Sequence, residues 1–351
     1  MDTKRKIDDH KLIYHPKRVS QWLEKGDCYP VYVEIEPTNR CNHNCIFCGL
    51  DWARGRIDID TKIMLDTLGQ MGKLGVKSVC FAGAGEPTLH KDFPLFVKHA
   101  KESGIDVSFS TNGAFFDPEK AKATLPYASW IRFSFNAGTP ETYSKIHRCS
   151  EKDFDKVISN ITAAVEIKRK NNYLVDLEVQ IVLMPENADT VLQLGEICKK
   201  IGVDLFLVKP YSRNPNSINK HDIDYKKFQG LKEGLEKLSD KDFTVVYREA
   251  RMDRIETGKD YPVCHGLPFF AIITAAGNIS PCNFYFNKEE FSYGNLNENS
   301  FEEIWTGKKR KQVLDKIKNL GVNCCETGCR LDKINSYLNR LKNLSSNDNF
   351  I

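Results

Sequence analysis

Short runs of hydrophobic and β-branched residues alternate with amphipathic segments between residue 30 and about residue 210. Six of these runs predict strands, at 31–36, 77–83, 105–110, 130–135, 177–184 and 204–209. The clearest helix is predicted at 153–168, where apolar residues recur at three- and four-residue spacing. Asp60 and Asn187 precede two further helical segments and are candidate N-terminal caps. Six β/α units in series indicate an α/β fold with parallel strands, either an open sheet or a barrel.

The pattern changes after Lys209, where a stretch rich in Pro, Asn and Ser predicts a linker and then one helix near 223–239. Further along, the sequence predicts a hairpin that turns at Gly277 and Asn278, a helix that begins at Ser300, and a last helix after Cys329. Four segments are therefore expected: an N-terminal extension at 1–29, an α/β domain at 30–210, a linker and helix at 211–240, and a small α+β domain at 241–345.

Charge and hydropathy exclude several classes of partner. The 351 residues include 51 Lys and Arg against 47 Asp and Glu, a net charge of +4 that is too balanced for a phosphate-driven nucleic-acid binder. The charged N-terminus lacks the apolar core of a secretory signal, and no stretch has the length and apolarity of a membrane span. We therefore expect a cytoplasmic protein with neither a nucleic-acid nor a membrane partner.

Twelve cysteines are the unusual feature of the composition. A chain of this length builds its core without disulfides, and in a reducing compartment clustered cysteines indicate metal ligands or catalysts. Cys41, Cys45 and Cys48 follow the first strand with the spacing C-x3-C-x2-C. A zinc site would need a fourth protein ligand, and we expect His43 not to turn inward easily. Three thiolates on a cuboidal iron–sulfur cluster would instead leave one iron open for a substrate or cofactor.

This loop, with Phe47 in its aromatic position, resembles the C-x3-C-x-aromatic-C loop of the radical S-adenosylmethionine (SAM) superfamily. The resemblance implies a partial (β/α)6 TIM-like barrel and a [4Fe-4S] cluster on Cys41, Cys45 and Cys48. It also implies that the open iron chelates SAM, which is cleaved to methionine and a 5′-deoxyadenosyl radical, and that a reductant such as flavodoxin or ferredoxin is a partner. The alternative for this loop is a structural zinc site.

The segment FAGAGEPTLH at 81–90 resembles the family's GGE motif, which holds the amino group of SAM. Gly85 and Glu86 match the motif, whereas Ala84 occupies the position of its first glycine. Gly83 is expected to supply the flexibility that the turn needs. The alternative for Glu86 is a structural pair with a neighbouring charge.

Residues after the third, fourth and fifth strands continue the resemblance. Asn112 lies in an STNG segment, and Ser134 with Asn136 resembles the family's Ser-x-Asp/Asn pattern near the ribose and carboxylate of SAM. Arg148 occupies a position that relatives often use near the same carboxylate, with a solvated surface position as the alternative for Arg148 and for His147. Val182 or Met184 is expected to pack against the adenine.

A second group of cysteines, Cys264, Cys282, Cys324, Cys325 and Cys329, resembles the SPASM/Twitch extensions of the same superfamily. A full SPASM domain carries a further C-x2-C-x5-C run, which this chain lacks. The resemblance implies one auxiliary [4Fe-4S] cluster on Cys264, Cys282, Cys325 and Cys329, with Cys324 as the alternative to Cys325. A four-cysteine zinc site is the alternative for the whole group.

The expected function is hydrogen-atom abstraction from a small polar substrate such as a sugar, aminocyclitol or nucleotide conjugate, leading to dehydrogenation or epimerisation. Cys149 is a candidate catalytic hydrogen donor, and Glu34, Glu36 and Lys209 are candidate substrate ligands or members of a structural network. A small substrate is preferred because only about thirty residues precede the barrel, too few for a leader-binding domain. Radical modification of a peptide or protein side chain is the alternative, and a non-catalytic iron–sulfur or zinc protein is the alternative of another class.

Overall fold

The computed structural model describes residues 10–257, 259–323, 325 and 329–350. Its strands form one sheet in the order β10-β9-β8-β1-β2-β3-β4-β5-β6-β7. They are β1 (Tyr32–Ile35), β2 (Ser78–Phe81), β3 (Asp106–Thr111), β4 (Ala128–Ser134), β5 (Asp176–Val182), β6 (Leu205–Lys209), β7 (Thr244–Tyr247), β8 (Phe270–Ile273), β9 (Asn278–Ser280) and β10 (Gly294–Asn295). All neighbours from β8 to β7 pair in parallel, which confirms the six predicted strands and the α/β class.

Helices connect most of the parallel strands. They are α1 (Pro16–Lys25), α2 (Thr61–Lys73), α3 (Phe93–Glu102), α4 (Pro118–Thr124), α5 (Pro140–His147), α6 (Lys152–Asn171), α7 (Val191–Ile201), α8 (Leu231–Glu236), α9 (Glu249–Thr257), α10 (Phe301–Thr306), α11 (Lys308–Leu320) and α12 (Asp332–Lys342). The predicted 153–168 helix is confirmed as α6. Asp60 caps α2 as expected, since its side chain accepts from the Ile63 N–H. Asn187 occupies the N-cap position of a short 3-10 helix, Ala188–Thr190, that leads into α7, but its side chain makes no capping hydrogen bond and bonds elsewhere.

Strand β7 was not predicted from the sequence, and it lengthens the sheet beyond the six predicted strands. β7 pairs with β6 along the register Leu205 to Thr244. At the opposite edge, β8 pairs with β1 from Tyr32 opposite Phe270. The region after residue 260 therefore continues the parallel sheet rather than forming a separate one.

The hairpin predicted at Gly277 is confirmed between β8 and β9, which are antiparallel. Gly277 has φ +83°, and a Cβ there would lie 2.7 Å from the Asn297 side-chain nitrogen. The left-handed backbone conformation favours glycine here, and an added Cβ would require the Asn297 side chain to move.

Phenylalanines pack against one another, mostly edge to face, between the sheet and its helices. The rings of Phe81, Phe93, Phe109, Phe116 and Phe133 follow one another with centroids 5.0 to 5.6 Å apart. This fully buried ladder joins β2, β3 and β4 to the elements that follow them. It fixes the carboxyl ends of these strands, where loops carry the candidate site residues.

The N-terminal segment packs against the end of the chain. Val19 and Trp22 of α1 share a small buried cluster with Phe269 and with Leu338 of α12. Arg310 of α11 is fully buried and donates two hydrogen bonds to Asp27, at 2.6 and 2.8 Å. None of the helices in the described ranges is long and apolar enough to cross a membrane.

Candidate active site

The loop after β1 carries the first three cysteines. Its backbone is tied to α5, because the Asn44 N–H donates to the His147 carbonyl and the Ile46 N–H donates to the Ile146 carbonyl. Arg54 donates to the His43 carbonyl at 2.9 Å and to the Asn44 side chain at 2.7 Å. These contacts hold the loop from both sides and place a guanidinium beside the cysteines.

His147 connects this loop to the ends of β4 and β5. Its Nδ1 lies 3.2 Å from the Cys45 Sγ, and the Asn136 backbone N–H donates to its Nε2 at 3.4 Å. Nε2 is therefore the acceptor, and Nδ1 carries the proton that faces the sulfur. Burial lowers the pKa of His147 well below its usual value, which keeps the ring neutral. The surface alternative for His147 is wrong, since the side chain is fully buried.

His43 does turn inward, contrary to the expectation from its position between the cysteines. It is buried, and ligand atoms of His43, Cys45 and His147 all lie within 4.8 Å of one another. Its Nε2 is 3.5 Å from Asp153 Oδ2, while burial lowers the pKa of the ring. The hydrogen bonds of His147 occupy both of its ring nitrogens, whereas the ring nitrogens of His43 make no hydrogen bond to the described residues beyond the approach to Asp153.

Glu86 is buried and its two carboxylate oxygens differ in their partners. Oε1 accepts from the Thr88 N–H, the Thr88 hydroxyl and the Thr111 hydroxyl, at 3.1, 2.7 and 2.7 Å. Oε2 accepts from the Asn112 N–H at 2.6 Å. Three donors saturate Oε1, whereas Oε2 retains acceptor capacity. The cation pair offered as the alternative for Glu86 is absent among the described residues.

The turn before Glu86 has no space for larger residues. A Cβ at Gly85 would lie 2.1 Å from the Thr38 carbonyl oxygen and 2.6 Å from that of Arg40. Glu36 spans this turn and the β8–β9 hairpin, because it accepts from the Ala84 N–H at 2.8 Å and the Ala275 N–H at 2.9 Å. Burial raises the pKa of Glu36 to about 7 despite these hydrogen bonds.

Three of the other residues implied for SAM binding lie at the carboxyl ends of β3, β4 and β5, whereas Phe47 and Arg148 do not. Asn112 follows β3 and donates to the Asn42 side chain at 2.8 Å, which brings it to the cysteine loop. Phe47 meets the His147 ring edge to face at 5.5 Å. Ser134 ends β4, and Val182 ends β5, where its N–H donates to Asn136 Oδ1 at 2.7 Å.

Arg148 is exposed and ends α5 in the left-handed conformation, with φ 47°. Cys149 is half-buried, its thiol donates to the Ser150 carbonyl at 3.6 Å, and burial and Asp153 raise its pKa to about 12. Neither residue belongs to the lining of the central cavity described below. Their assigned roles stay predictions.

The second cysteine group comes together at the interior of the curved sheet. Cys264, Cys282, Cys325 and Cys329 line one cavity. The Asn335 side chain donates to Cys264 Sγ and the Leu331 N–H donates to Cys329 Sγ, both at 3.4 Å. The alternative ligand Cys324 lies outside the described residues.

That cavity has a volume of about 400 Å³ and is lined by interior-facing residues from both edges of the parallel sheet. Tyr32 and Glu34 of β1 face it, as do Lys209 of β6 and Phe270 of β8. Residues of strands this far apart can face one cavity only if the sheet is curved. The sheet is therefore a partial barrel rather than an open sheet.

The cavity is rich in basic side chains. Five basic side chains line it: Arg132, Lys209, Arg248, Arg251 and Arg330. Arg132 donates to Glu178 Oε2 at 2.8 and 2.6 Å, and Arg330 lies 2.6 Å from Glu34. Glu34 is thus both a lining residue and a member of an ion pair. Burial, followed by the surrounding arginines, lowers the pKa of Lys209 to about 7.

Family models match both parts of the chain. The model of the radical SAM superfamily matches residues 35–198, and that of the SPASM iron–sulfur cluster-binding domain matches residues 264–330. Residues 35–198 therefore contain a radical SAM domain, and residues 264–330 contain a SPASM domain. These two domains imply a [4Fe-4S] cluster with SAM and auxiliary iron–sulfur binding.

Similar proteins carry different names. A probable GTP 3′,8-cyclase of Saccharolobus islandicus is 29% identical over 212 residues, which span 59% of this chain and 65% of that protein. A tungsten-containing aldehyde ferredoxin oxidoreductase cofactor-modifying protein of Pyrococcus furiosus is 25% identical over 86% of this chain and 87% of its own length. Streptococcus suis SuiB bound to its precursor peptide SuiA superposes with TM-score 0.66 at 18% identity, covering 86% of this chain and 70% of SuiB, and shows the fold.

The residues of this radical SAM protein fit the implied groups. Two half-buried thiols have raised pKa values, about 11 for Cys41 and about 12 for Cys264, with desolvation the main cause. Such thiols lose their protons when they bind metal. N–H groups of His147, Leu331 and Asn335 face cysteine sulfurs, an arrangement that suits the sulfurs of iron–sulfur clusters.

Several residues of this radical SAM protein were missed or misplaced by sequence reasoning. His147 lies on a buried face of α5 with Tyr143 and Ile146, at i, i+3 and i+4 spacing, which was the available signal. Arg248 and Arg251 follow β7, and recognising that strand in the FTVVY run would have placed them beside the sixth strand.

Proposed function

We propose that this radical SAM enzyme abstracts a hydrogen atom from a small polar substrate held in the cavity between the barrel strands and the SPASM domain. The cavity supports this proposal, since its volume of about 400 Å³, part of which the auxiliary cluster would occupy, lies at the lower end of the range of small-molecule sites. When bound, the first cluster and SAM supply the 5′-deoxyadenosyl radical that carries out the abstraction. The chain contributes binding, orientation and exclusion of water.

We assign Cys41, Cys45 and Cys48 to the first cluster. Glu86 would hold the amino group of SAM through Oε2, the oxygen with remaining acceptor capacity. Gly85 lets the turn approach the cysteine loop, and Asn112 links that turn to Asn42. Ser134, Phe47, Arg148 and Val182 keep their proposed SAM contacts.

Dehydrogenation is better supported than epimerisation. Cys264, Cys282, Cys325 and Cys329, which we assign to one auxiliary [4Fe-4S] cluster, all line the substrate cavity. An acceptor on these residues would be next to the substrate and could take the second electron of an oxidation. Cys149, the thiol proposed for hydrogen return, does not line the cavity. Its role as a donor would require a substrate that extends out of the cavity.

Modification of a peptide or protein side chain is the second candidate. SuiB is described with a bound precursor peptide, and this chain shares its fold over most of its length. A side chain inserted into the cavity would meet the same lining as a free small molecule. A reductant such as flavodoxin or ferredoxin is proposed for either substrate class.

Anaerobic reconstitution tests the function. We expect about eight irons per chain and reductive cleavage of SAM. Cys45→Ala should abolish the cleavage, whereas Cys282→Ala should retain it and lose about four irons. Transfer of deuterium from labelled candidate substrates into 5′-deoxyadenosine would identify the substrate. Zinc in place of iron, or wild-type protein that never cleaves SAM, would overturn the proposal.

Cys149→Ala distinguishes the two outcomes of hydrogen abstraction. If dehydrogenation is the reaction, the variant should form the oxidised product at an unchanged rate. If the thiol returns hydrogen, the variant should release a radical-derived side product and no epimer. Product analysis by mass spectrometry and chiral chromatography separates these results.

A further inference from the structure

Glu36 contacts two loops that belong to different parts of the chain. It directly follows β1 and is buried. Its Oε1 accepts from the Ala84 N–H at 2.8 Å, in the turn that precedes Glu86. Its Oε2 accepts from the Ala275 N–H at 2.9 Å, in the turn between β8 and β9. A single carboxylate therefore joins the turn proposed to bind SAM to a hairpin of the SPASM domain.

The turn that precedes Glu86 is held at its two ends by backbone hydrogen bonds and in its middle by Glu36. The N–H groups of Ala82 and Glu86 donate to carbonyls of the segment 35–40, both at 2.8 Å. The N–H between them donates to the Glu36 side chain. A Cβ at Gly83 would lie 2.7 Å from the Glu36 Cβ, so glycine leaves the space that this side chain occupies. The path of the turn thus depends on Glu36.

The hairpin leads directly to a proposed ligand of the auxiliary cluster. A backbone hydrogen bond closes the turn at 274–277, in which Ala275 has the second position. Strand β9 follows and ends two residues before Cys282. The Glu36 carboxylate therefore fixes this hairpin relative to the turn of Glu86.

Only an ionised carboxylate satisfies both loops. It offers an acceptor on each oxygen, whereas the amide of glutamine offers one oxygen and presents donors at its other end. A buried N–H that loses its acceptor is costly. Glu34 lies two residues earlier on the same face of the chain, but it pairs with Arg330 at 2.6 Å and lines the central cavity. Glu36 does not line that cavity, which favours the network role over the substrate-ligand role.

We propose that Glu36 is a positioning residue for SAM binding, through which the affinity for SAM depends on the hairpin of the SPASM domain. This inference rests on the proposed role of Glu86 and goes beyond it, because Glu36 is outside the proposed SAM contacts. The SPASM domain then has two roles: it holds the auxiliary cluster, and it completes the SAM site.

Equilibrium dialysis of SAM with the anaerobically reconstituted full chain tests this role. At pH 8 Glu36 is ionised, because its pKa is about 7. Glu36→Gln should weaken SAM binding about fivefold, the equivalent of one hydrogen bond. Ala275→Pro removes only the hairpin N–H, since proline suits the second position of such a turn, and should weaken binding by a similar factor. Glu34→Gln is the matched control and should keep the wild-type affinity.

A double variant separates positioning from a general loss of stability. Because Glu36→Gln and Ala275→Pro remove the same link, the double variant should bind SAM no more weakly than Glu36→Gln alone. Added SAM should bring the EPR signal of the reduced first cluster to the same final spectrum in every variant, at higher SAM concentrations in the weakened ones. About eight irons per chain would show that both cluster sites are intact. If Ala275→Pro loses iron, the comparison of Glu36→Gln with Glu34→Gln decides alone.

Wild-type affinity in Glu36→Gln or in an intact Ala275→Pro variant overturns the inference, as does an equal loss in Glu34→Gln or a fully additive loss in the double variant. SAM cleavage by the wild-type protein decides the proposed function separately. Protein that binds SAM without cleaving it, and binds it more weakly as Glu36→Gln, loses the function and retains the positioning role. Cleavage together with an unaffected Glu36→Gln variant does the reverse.

Discussion

His147 donates a hydrogen bond to Cys45 from an Nδ1 that lies 3.2 Å from the Sγ. The same ring accepts from the Asn136 N–H, and Asn136 accepts in turn from the Val182 N–H. Asn187 completes the connection by donating to the Asn136 and Val182 carbonyls, both at 2.9 Å. The thiolate proposed to bind the first cluster is thereby linked to the ends of β4 and β5, where SAM contacts are proposed.

Loss of the His147 hydrogen bond should lower the reduction potential of the first cluster. A donor to a ligand sulfur stabilises the reduced, more negative cluster, and one hydrogen bond is worth about 1 kcal/mol. For a one-electron couple this corresponds to about 40 mV. We expect His147→Leu to shift the potential down by about that amount in an EPR-monitored titration. His147→Asn, which keeps an N–H donor, should recover most of the lost reduction potential. Equal potentials in the two variants would contradict the hydrogen bond.

Glu86→Gln should weaken SAM binding. Its amide nitrogen would take the place of Oε2 and present a donor to the Asn112 N–H and to the ammonium of SAM. Loss of a hydrogen bond to a charged group costs about 1.5–3 kcal/mol, or about 10- to 150-fold in affinity. Equilibrium dialysis under anaerobic conditions measures the change, with exposed Glu102→Gln as the control. Unchanged affinity would assign Glu86 a purely structural role.

Gly85 and Ala84 form a matched pair for testing the turn. Gly85→Ala should destabilise the protein by about 1–3 kcal/mol and impair SAM binding, because the added methyl meets backbone carbonyls that cannot move aside freely. Ala84→Gly restores the family's GGE motif and should retain SAM binding. Chemical denaturation and SAM binding measure both effects. A fully stable Gly85→Ala variant would contradict the close approach.

The buried pair of Arg310 and Asp27 should contribute to the docking of the N-terminal segment. Asp27→Ala leaves the Arg310 guanidinium buried over the Trp305 ring, 3.9 Å away, without its carboxylate. Because Asp27 is itself partly exposed, we expect a loss of about 2 kcal/mol, below that of a fully buried pair. Exposed Asp66→Ala in α2 is the control, and its change should be below about 0.5 kcal/mol. Equal losses in the two variants would contradict the prediction.

Features that depend on a local pattern of residues could be predicted from the sequence. Strands flanked by glycine, the cap at Asp60 and the cysteine spacings each depend on a few neighbouring residues. Prediction failed where contacts are distant: β8 joins β1 across more than two hundred residues, and Glu36 meets both Ala84 and Ala275. His147 was misjudged because only the fold shows that α5 turns this side chain toward the cysteine loop. Domain boundaries stay predictions, since one sheet runs through both regions.

Lys209 should make the stability of the protein depend on pH. Burial and the neighbouring Arg251, Arg132, Arg248 and Arg330 lower its pKa to about 7, well below that of a lysine in the unfolded chain. Above pH 7 the folded protein therefore holds a neutral Lys209 while the unfolded chain still binds the proton. The free energy of unfolding should rise with pH in this range.

We therefore expect the free energy of unfolding of the wild-type protein, relative to that of Lys209→Met, to rise by about 1.4 kcal/mol between pH 6 and pH 8. Chemical denaturation of both proteins at the two pH values measures this difference, and titrations that the two proteins share cancel in the comparison. A difference that stays constant with pH would mean that Lys209 keeps its proton in the folded protein.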